Sequence, residues 1–394
     1  MKDPLFSSID KRSEHLCAMA DEIFDHPETG FEEHRAVKLL TDYLTQEGFA
    51  VQIGLGSLPT AFRAEYTFGD GSGARIGLLC EYDALKKIGH ACAHHLQGPS
   101  IIAAAAALKE NLADSDNCRI IVYGTPAEEG GGGKITMLDE GFMADIDVAL
   151  MMHGSPTTCT DVRSMACVEA NVVFHGKSAH AALKPDAGRS AFDALLLTFQ
   201  GIEFLREHLL EDSRMHYTVS ELPGPANVVP DTAKGTFSLR SYNSAYLNGT
   251  IKPRFEDIVK GAALMAGVTC ELSYDRTLDS KVPVLALNDI VMENARLVNA
   301  PTLRPPREKT GSSDFGNVMF RVPGSCIRIA FVPEGTSSHS QTFLDYGKTK
   351  DAHDALVYAA KILAGTAWDM VKEPEKLAAV KAEFAATKEK MAQA

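Results

Sequence analysis

The sequence has no run of lysine or arginine, no apolar stretch near membrane-spanning length and no Cys-x-x-Cys pair. Each absence removes a class of function. A formal charge of −13 without a basic cluster argues against nucleic acid or an anionic membrane as the main partner. The apolar run Ile101–Leu108 is far shorter than the roughly 18 residues of a membrane span. The opening Met-Lys-Asp-Pro leads into no apolar core of signal-peptide length. The eight cysteines are scattered singly, so a reducing cytoplasm is expected, with most of them acting as small buried hydrophobes or surface thiols. Gly130–Gly133 lack the Lys-Ser/Thr of a phosphate loop and follow two carboxylates, and no Gly-x-Ser-x-Gly elbow occurs.

What is present is an ordinary globular composition, 45% hydrophobic and 23% charged, in a chain of 394 residues. That length predicts two domains, each able to bury its own core. Helical spacing of apolar residues runs over 10–48, interrupted near His26–Gly30. Strands are expected at 61–66, 75–81, 118–123 and 148–152, alternating with helices at 99–112 and 134–140. This alternation predicts an α/β fold: a mostly parallel central sheet with helices on both faces. From 167 to 278 the order changes to β-α-β-β-α-β, a ferredoxin-like inserted domain. The expected division is 1–166 for the first part of a catalytic domain, 167–278 for the insertion and 279–394 for the remainder. That remainder reads as a helix at 288–299, a loop at 309–316, a strand at 326–332 and a helix at 351–372. Residues 374–394 read as an exposed helix or a frayed tail.

Four short pieces carry candidate metal ligands: Cys92 and His94 in His90-Ala-Cys-Ala-His-His95, Glu129 in Ala127-Glu-Glu-Gly-Gly131, His153 in Met151-Met-His-Gly154, and His339 in Ser337-Ser-His-Ser340. Each follows an expected strand, and in an open α/β sheet such pieces meet at the strands' carboxyl ends. Cys92 and His94, two apart in a loop, can point into one pocket. Glu128 and Glu129 are adjacent, so in extended backbone one can ligate a metal while the other faces its bound water. Taken singly, each piece is weak evidence, since a histidine at a strand end more often makes only hydrogen bonds. Together they suit a metal hydrolase, which needs fixed ligands, an open position and a nearby base.

With Pro27-Glu-Thr-Gly-Phe-Glu32, Glu81-Tyr-Asp-Ala-Leu85, Gly176-Lys-Ser-Ala-His-Ala181, Ala226-Asn-Val-Val-Pro-Asp231 and Gly311-Ser-Ser-Asp-Phe-Gly316, these pieces resemble a two-metal peptidase and amidohydrolase family. It includes aminoacylase, hippurate hydrolase, the auxin-conjugate hydrolases and aminobenzoyl-glutamate hydrolase, and is known as peptidase family M20. The likeness is strongest to the branch with a bridging cysteine, which holds the aminobenzoyl-glutamate hydrolases and related dipeptidases. The resemblance implies two divalent ions, Zn or Mn, bridged by the Cys92 thiolate, with His94, Glu129, His153 and His339 completing the shells and Glu128 as general base. It implies that His180, on the inserted domain, reaches across a homodimer to the partner's site, and that Asn227 and Arg240 help bind substrate. The expected reaction is cleavage of the amide of an N-acyl amino acid, dipeptide or aryl-amide conjugate, releasing an amino acid.

Two positions depart from the family pattern. Ala93 stands where glycine is usual, implying that the backbone needs no positive φ there or that the loop has shifted. His95 replaces a carboxylate or amide, making it an extra ligand, a support for one, or part of a different pocket. Both motivate an alternative: a metal-binding but catalytically weak binding protein on the same scaffold.

Overall fold

The computed structural model describes residues 2–393, and these form two compact units. One comprises the chain up to Arg163 together with Lys281–Lys388. The other comprises Ser164–Ser280 with the segment from Glu389.

The first unit is an α/β fold around a six-stranded sheet. Its spatial order is Ala50–Leu55, Leu58–Thr67, Arg119–Gly124, Arg75–Cys80, Val148–Ser155, Gly324–Ala330. The last four of these strands run parallel to one another, and Leu58–Thr67 runs antiparallel to its neighbours. Because successive side chains on a strand face opposite ways, each buried strand feeds two cores. Ile76, Leu78, Ile120, Val122, Val148, Leu150, Ile327 and Ile329 pack on one face with the helices Asp3–Asp25, Gln97–Asn111 and Lys350–Lys372. Leu79, Ile121, Tyr123, Ala149 and Met151 pack on the other with Gly133–Asp139 and Phe315–Arg321.

Gln97–Asn111 is buried from Gln97 to Leu108, and its five consecutive alanines keep its girth small enough to sit between helices and sheet. Such a helix is held by packing on all sides and not by an amphipathic face.

Four details differ from the sequence expectation. The single interrupted helix over 10–48 is two helices, Asp3–Asp25 and His34–Gln46. Ala50–Leu55 is an edge strand that the sequence hides, because it is largely exposed and shows no clean alternation. The loop expected at 309–316 gives way at its end to a short helix, Phe315–Arg321. The terminal segment is a helix through Gln393, and it is not simply exposed: Leu377 and Val380 are buried, while Glu383 accepts hydrogen bonds from Leu285 and Ala286 N at the start of another helix.

The second unit has a four-stranded antiparallel sheet in the order Thr269–Tyr274, Ala166–His175, Thr232–Ser241, Arg214–Glu221. Thr232–Ser241 buries every second residue. That face packs against the helices Ala191–Arg206 and Lys252–Ala266 through Val168, Val172, Phe174, Leu195, Phe237 and Phe255. No helix among the described residues is long and apolar enough to cross a membrane.

Candidate metal centre

The parallel strands of the first unit end where the candidate ligands begin, so the sheet itself collects them. Arg75–Cys80 runs into Glu81 and Asp83, Arg119–Gly124 leads to Glu128 and Glu129, and His153 lies near the end of Val148–Ser155. His339 follows the strand Gly324–Ala330, and its backbone N–H donates to Ala91 O at 3.0 Å, fastening its loop to the Cys92 turn.

Cys92, His94 and His153 each place one ligand atom within 4.8 Å of the others'. Cys92, Glu129 and His339 do the same, as do His94, Glu128 and Glu129. Cys92 Sγ is 3.4 Å from His153 Nε2, and His339 Nε2 is 3.5 Å from Glu129 Oε1. Cys92 and His339, 247 positions apart in the chain, therefore share one cluster.

Two buried atoms of this cluster lack a hydrogen bond among the described residues: His94 Nε2, 3.3 Å from Glu81 Oε2, and Glu129 Oε1. Buried polar atoms are seldom left unsatisfied without a purpose, and both are atom types able to bind a metal, close to further such atoms. A thiol, imidazoles and carboxylates together form a donor set for a borderline divalent cation. The residues fit such an ion.

The electrostatics agree. Burial, followed by the charge of Arg328, pushes His153 down to about 3, so its ring is held as neutral imidazole, the form able to bind a metal. Burial pushes the Cys92 thiol up to about 11, so its thiolate form calls for a cation close by. Burial, then Glu81 and Asp314, pushes Glu128 up to about 8.

The Cys92 turn depends on backbone geometry that runs against the sequence expectation. Ala93 has φ of 61°, so the left-handed conformation is required here even though the residue is not glycine. The conformation is fixed from outside. Ala93 N donates to His90 O, and the Ala93 methyl lies against Gly154, where a Cβ would come within 2.7 Å of it. Ala127 also has positive φ, 58°, and places Glu128 and Glu129 in a turn instead of the expected extended backbone. Gly131 and Gly132 N–H groups close that turn on Ala127 O, and Ala127 N donates to the buried Glu33 carboxylate.

His95 is not part of the cluster. Its Nε2 is 2.8 Å from Gly347 O, and its ring stands edge-on to Phe24 at 4.8 Å and near His90 at 5.3 Å. Of the options open from sequence, it belongs to a different, buried pocket.

The sequence motifs contain Asp83, Glu81 and Asp314 but give them no role, and nothing in the sequence singles out Lys134. Asp83 ties two ligand loops together: its backbone O and Oδ1 lie 3.0 and 3.2 Å from His94 Nδ1, and its Oδ2 accepts Glu129 N at 3.0 Å. Holding Nδ1 in this way directs Nε2 to the cluster. Beneath it, fully buried Lys134 joins Glu81 Oε1 at 2.6 Å and Asp314 Oδ1 at 2.8 Å, while Gln97 holds the other Glu81 oxygen at 2.7 Å.

The remaining candidates lie in the second unit. His180 is exposed on a two-stranded ribbon with Val228–Val229, and its Nδ1 accepts the N–H groups of Ala182 and Leu183. Asn227 O accepts Ala181 N, and Arg240 Nε donates to Ser238 Oγ.

A model of peptidase family M20/M25/M40 matches residues 80–368. The chain is 32% identical to the Xaa-Arg dipeptidase of Mus musculus over 391 residues, covering 95% of this chain and 90% of that one. It is 32% identical over 424 residues to a p-aminobenzoyl-glutamate hydrolase polypeptide of Escherichia coli (strain K12), covering 88% and 87%. Among solved structures, the Bacillus subtilis YXEP protein, a dinuclear metal binding peptidase, superposes with a TM-score of 0.71 at 19% identity, covering 92% of this chain and 99% of that one.

Proposed function

Since the chain belongs to peptidase family M20/M25/M40 and is a metal-dependent amide hydrolase, we propose that it frees an amino acid from an N-acyl amino acid, a dipeptide or an aryl-amide conjugate. The observation that carries this reading is that one thiol, Cys92, belongs to two separate three-ligand groups, with His94 and His153 on one side and Glu129 and His339 on the other. A ligand common to two such groups suits a pair of divalent ions, Zn or Mn, which Cys92 as thiolate would hold together with His94, Glu129, His153 and His339. When bound, such ions would supply water of lowered pKa and a polarised scissile carbonyl.

The chain's own residues then divide the remaining work. Glu128 moves one proton, from the attacking water to the nitrogen of the leaving amine. Its burial and its acidic neighbours favour proton uptake at that carboxyl, the property a general base needs. Asp83 keeps the His94 ring oriented. Accepting two backbone N–H groups at Nδ1 leaves His180 with its proton on Nε2, the form that donates to a developing oxyanion. In this reading His180 acts in a partner's site within a homodimer formed through the inserted domain, whose exposed Leu222, Phe204 and Leu264 offer apolar contact area. Asn227 and Arg240 would contact substrate from the same domain. Eight free cysteines accord with a reducing cytoplasm.

The test is turnover of a panel of N-acyl amino acids and dipeptides by metal-loaded wild type and by Glu128→Ala. The expected result is amino acid release by wild type and a loss of roughly a hundredfold or more in the variant. Equal, negligible rates for both would overturn the reading.

A further inference from the structure

Arg328 lies beside the ligand cluster without belonging to it. On the strand Gly324–Ala330 it pairs in parallel register with His153, and its other edge exchanges two backbone hydrogen bonds with Cys159. Parallel partners in register point to the same face of a sheet, so the guanidinium shares the face of the His153 ring.

The guanidinium is anchored by one nitrogen only. Its Nε donates to Asp161 Oδ2 at 2.9 Å, while Arg307 Nε takes Asp161 Oδ1 at 2.7 Å. Two guanidinium groups thus share the Asp161 carboxylate, while Lys281 Nζ donates to the Asp161 backbone O. The two terminal nitrogens of Arg328 donate to no group among the described residues, yet the side chain keeps 21% of its surface exposed. A fixed cation next to a metal ligand opposes metal binding unless an anion comes between them. Terminal guanidinium nitrogens form a fork that fits a planar carboxylate with two parallel hydrogen bonds.

We propose that Arg328 is a specificity-determining residue that takes a carboxylate of the substrate's amino-acid half on its two terminal nitrogens. Asp161 fixes the fork's direction through Nε, and Arg307 keeps Asp161 from neutralising it. This deepens the hydrolase reading and rests on it: Arg328 reads one carboxylate of the released amino acid, either the α-carboxylate or one on the side chain.

Three probes of one skeleton separate those two sources: N-acetyl-L-glutamate, its α-amide and its γ-amide. Steady-state kinetics with wild type, Arg328→Lys and Arg328→Met, each with metal content measured, give the KM and kcat for each probe. The expected result is that Arg328→Met raises KM by roughly thirtyfold or more for N-acetyl-L-glutamate, with kcat within about threefold and metal content unchanged, and that Arg328→Lys recovers only part of the loss. The amide that wild type already binds weakly, and on which Arg328→Met has little further effect, identifies the carboxylate that is read.

Calorimetric binding of N-acetyl-L-glutamate to Glu128→Gln, with and without Arg328→Met, supplies a readout independent of turnover. Binding lost with Arg328→Met supports the assignment even if the hydrolytic reading fails. The inference is overturned if KM for all three probes stays within twofold in Arg328→Met, or if Glu128→Gln binds N-acetyl-L-glutamate no better than Glu128→Gln with Arg328→Met does. Turnover by wild type alongside either result leaves the hydrolase reading standing.

Discussion

Replacing Lys134 with methionine removes the cation that joins the Glu81 and Asp314 carboxylates under the candidate metal centre. At 2.6 and 2.8 Å, each contact represents about 6 kcal/mol of attraction at an effective dielectric near 20. Against this stands the desolvation of three buried charges, so the intact cluster adds little net stability. Breaking it is different, because two carboxylates are then stranded without a counter-ion, at a cost of about 3–5 kcal/mol.

The loss depends on pH in a defined direction. Burial already holds Asp314 above the usual carboxylate range, with Lys134 opposing it, and removing Lys134 raises it further. A carboxyl whose folded pKa exceeds its unfolded value contributes stability that is full below the unfolded value and lost as pH rises. The deficit of Lys134→Met is therefore smaller at about pH 5 than at about pH 8. Urea unfolding of wild type and variant after chelation, at both pH values, measures it. A deficit below about 1 kcal/mol, or one that grows toward acid pH, would refute the reasoning.

Asp83→Ala frees the His94 ring and should weaken metal binding by about 10–100-fold with the fold intact, as read by competition with a chromophoric chelator. Ala93→Val puts a β-branched residue at positive φ and against Gly154, and should cost more than about 2 kcal/mol in chemical denaturation. Ala93→Gly should be close to neutral, because relief of about 1 kcal/mol of left-handed strain offsets the added freedom of the unfolded chain. Burial pushes His95 down to about 3 from 6.5, so its contribution to stability is present above about pH 6.5 and is lost as pH falls. His95→Phe should accordingly reduce proton uptake on unfolding by about one between pH 6.5 and 4 and leave metal content unchanged; a fall in bound metal would return His95 to the ligand set.

The candidate ligand pieces were legible because each lies at or beyond the end of a strand, and strand ends in a parallel sheet meet without any long-range pairing being guessed. The supports beneath them were not legible. Asp83 meets Glu129 across 46 residues and Lys134 meets Asp314 across 180, and no local pattern encodes such pairs. Ala93 shows a different limit: alanine usually signals ordinary φ, but contacts from Gly154 and His90 outweigh a strain of about 1–2 kcal/mol. Ala50–Leu55 was hidden because an exposed edge strand carries no burial alternation. The terminal segment's alternating Lys and Glu masked the two buried positions, Leu377 and Val380, that dock its helix.

The central claim is that the Cys92 thiol is shared between two divalent ions. Elemental analysis of protein purified without chelator, as wild type and as Cys92→Ala, tests it most directly. The account predicts two ions per wild-type chain and one or fewer in the variant; fewer than one in wild type, or two retained by Cys92→Ala, would contradict it.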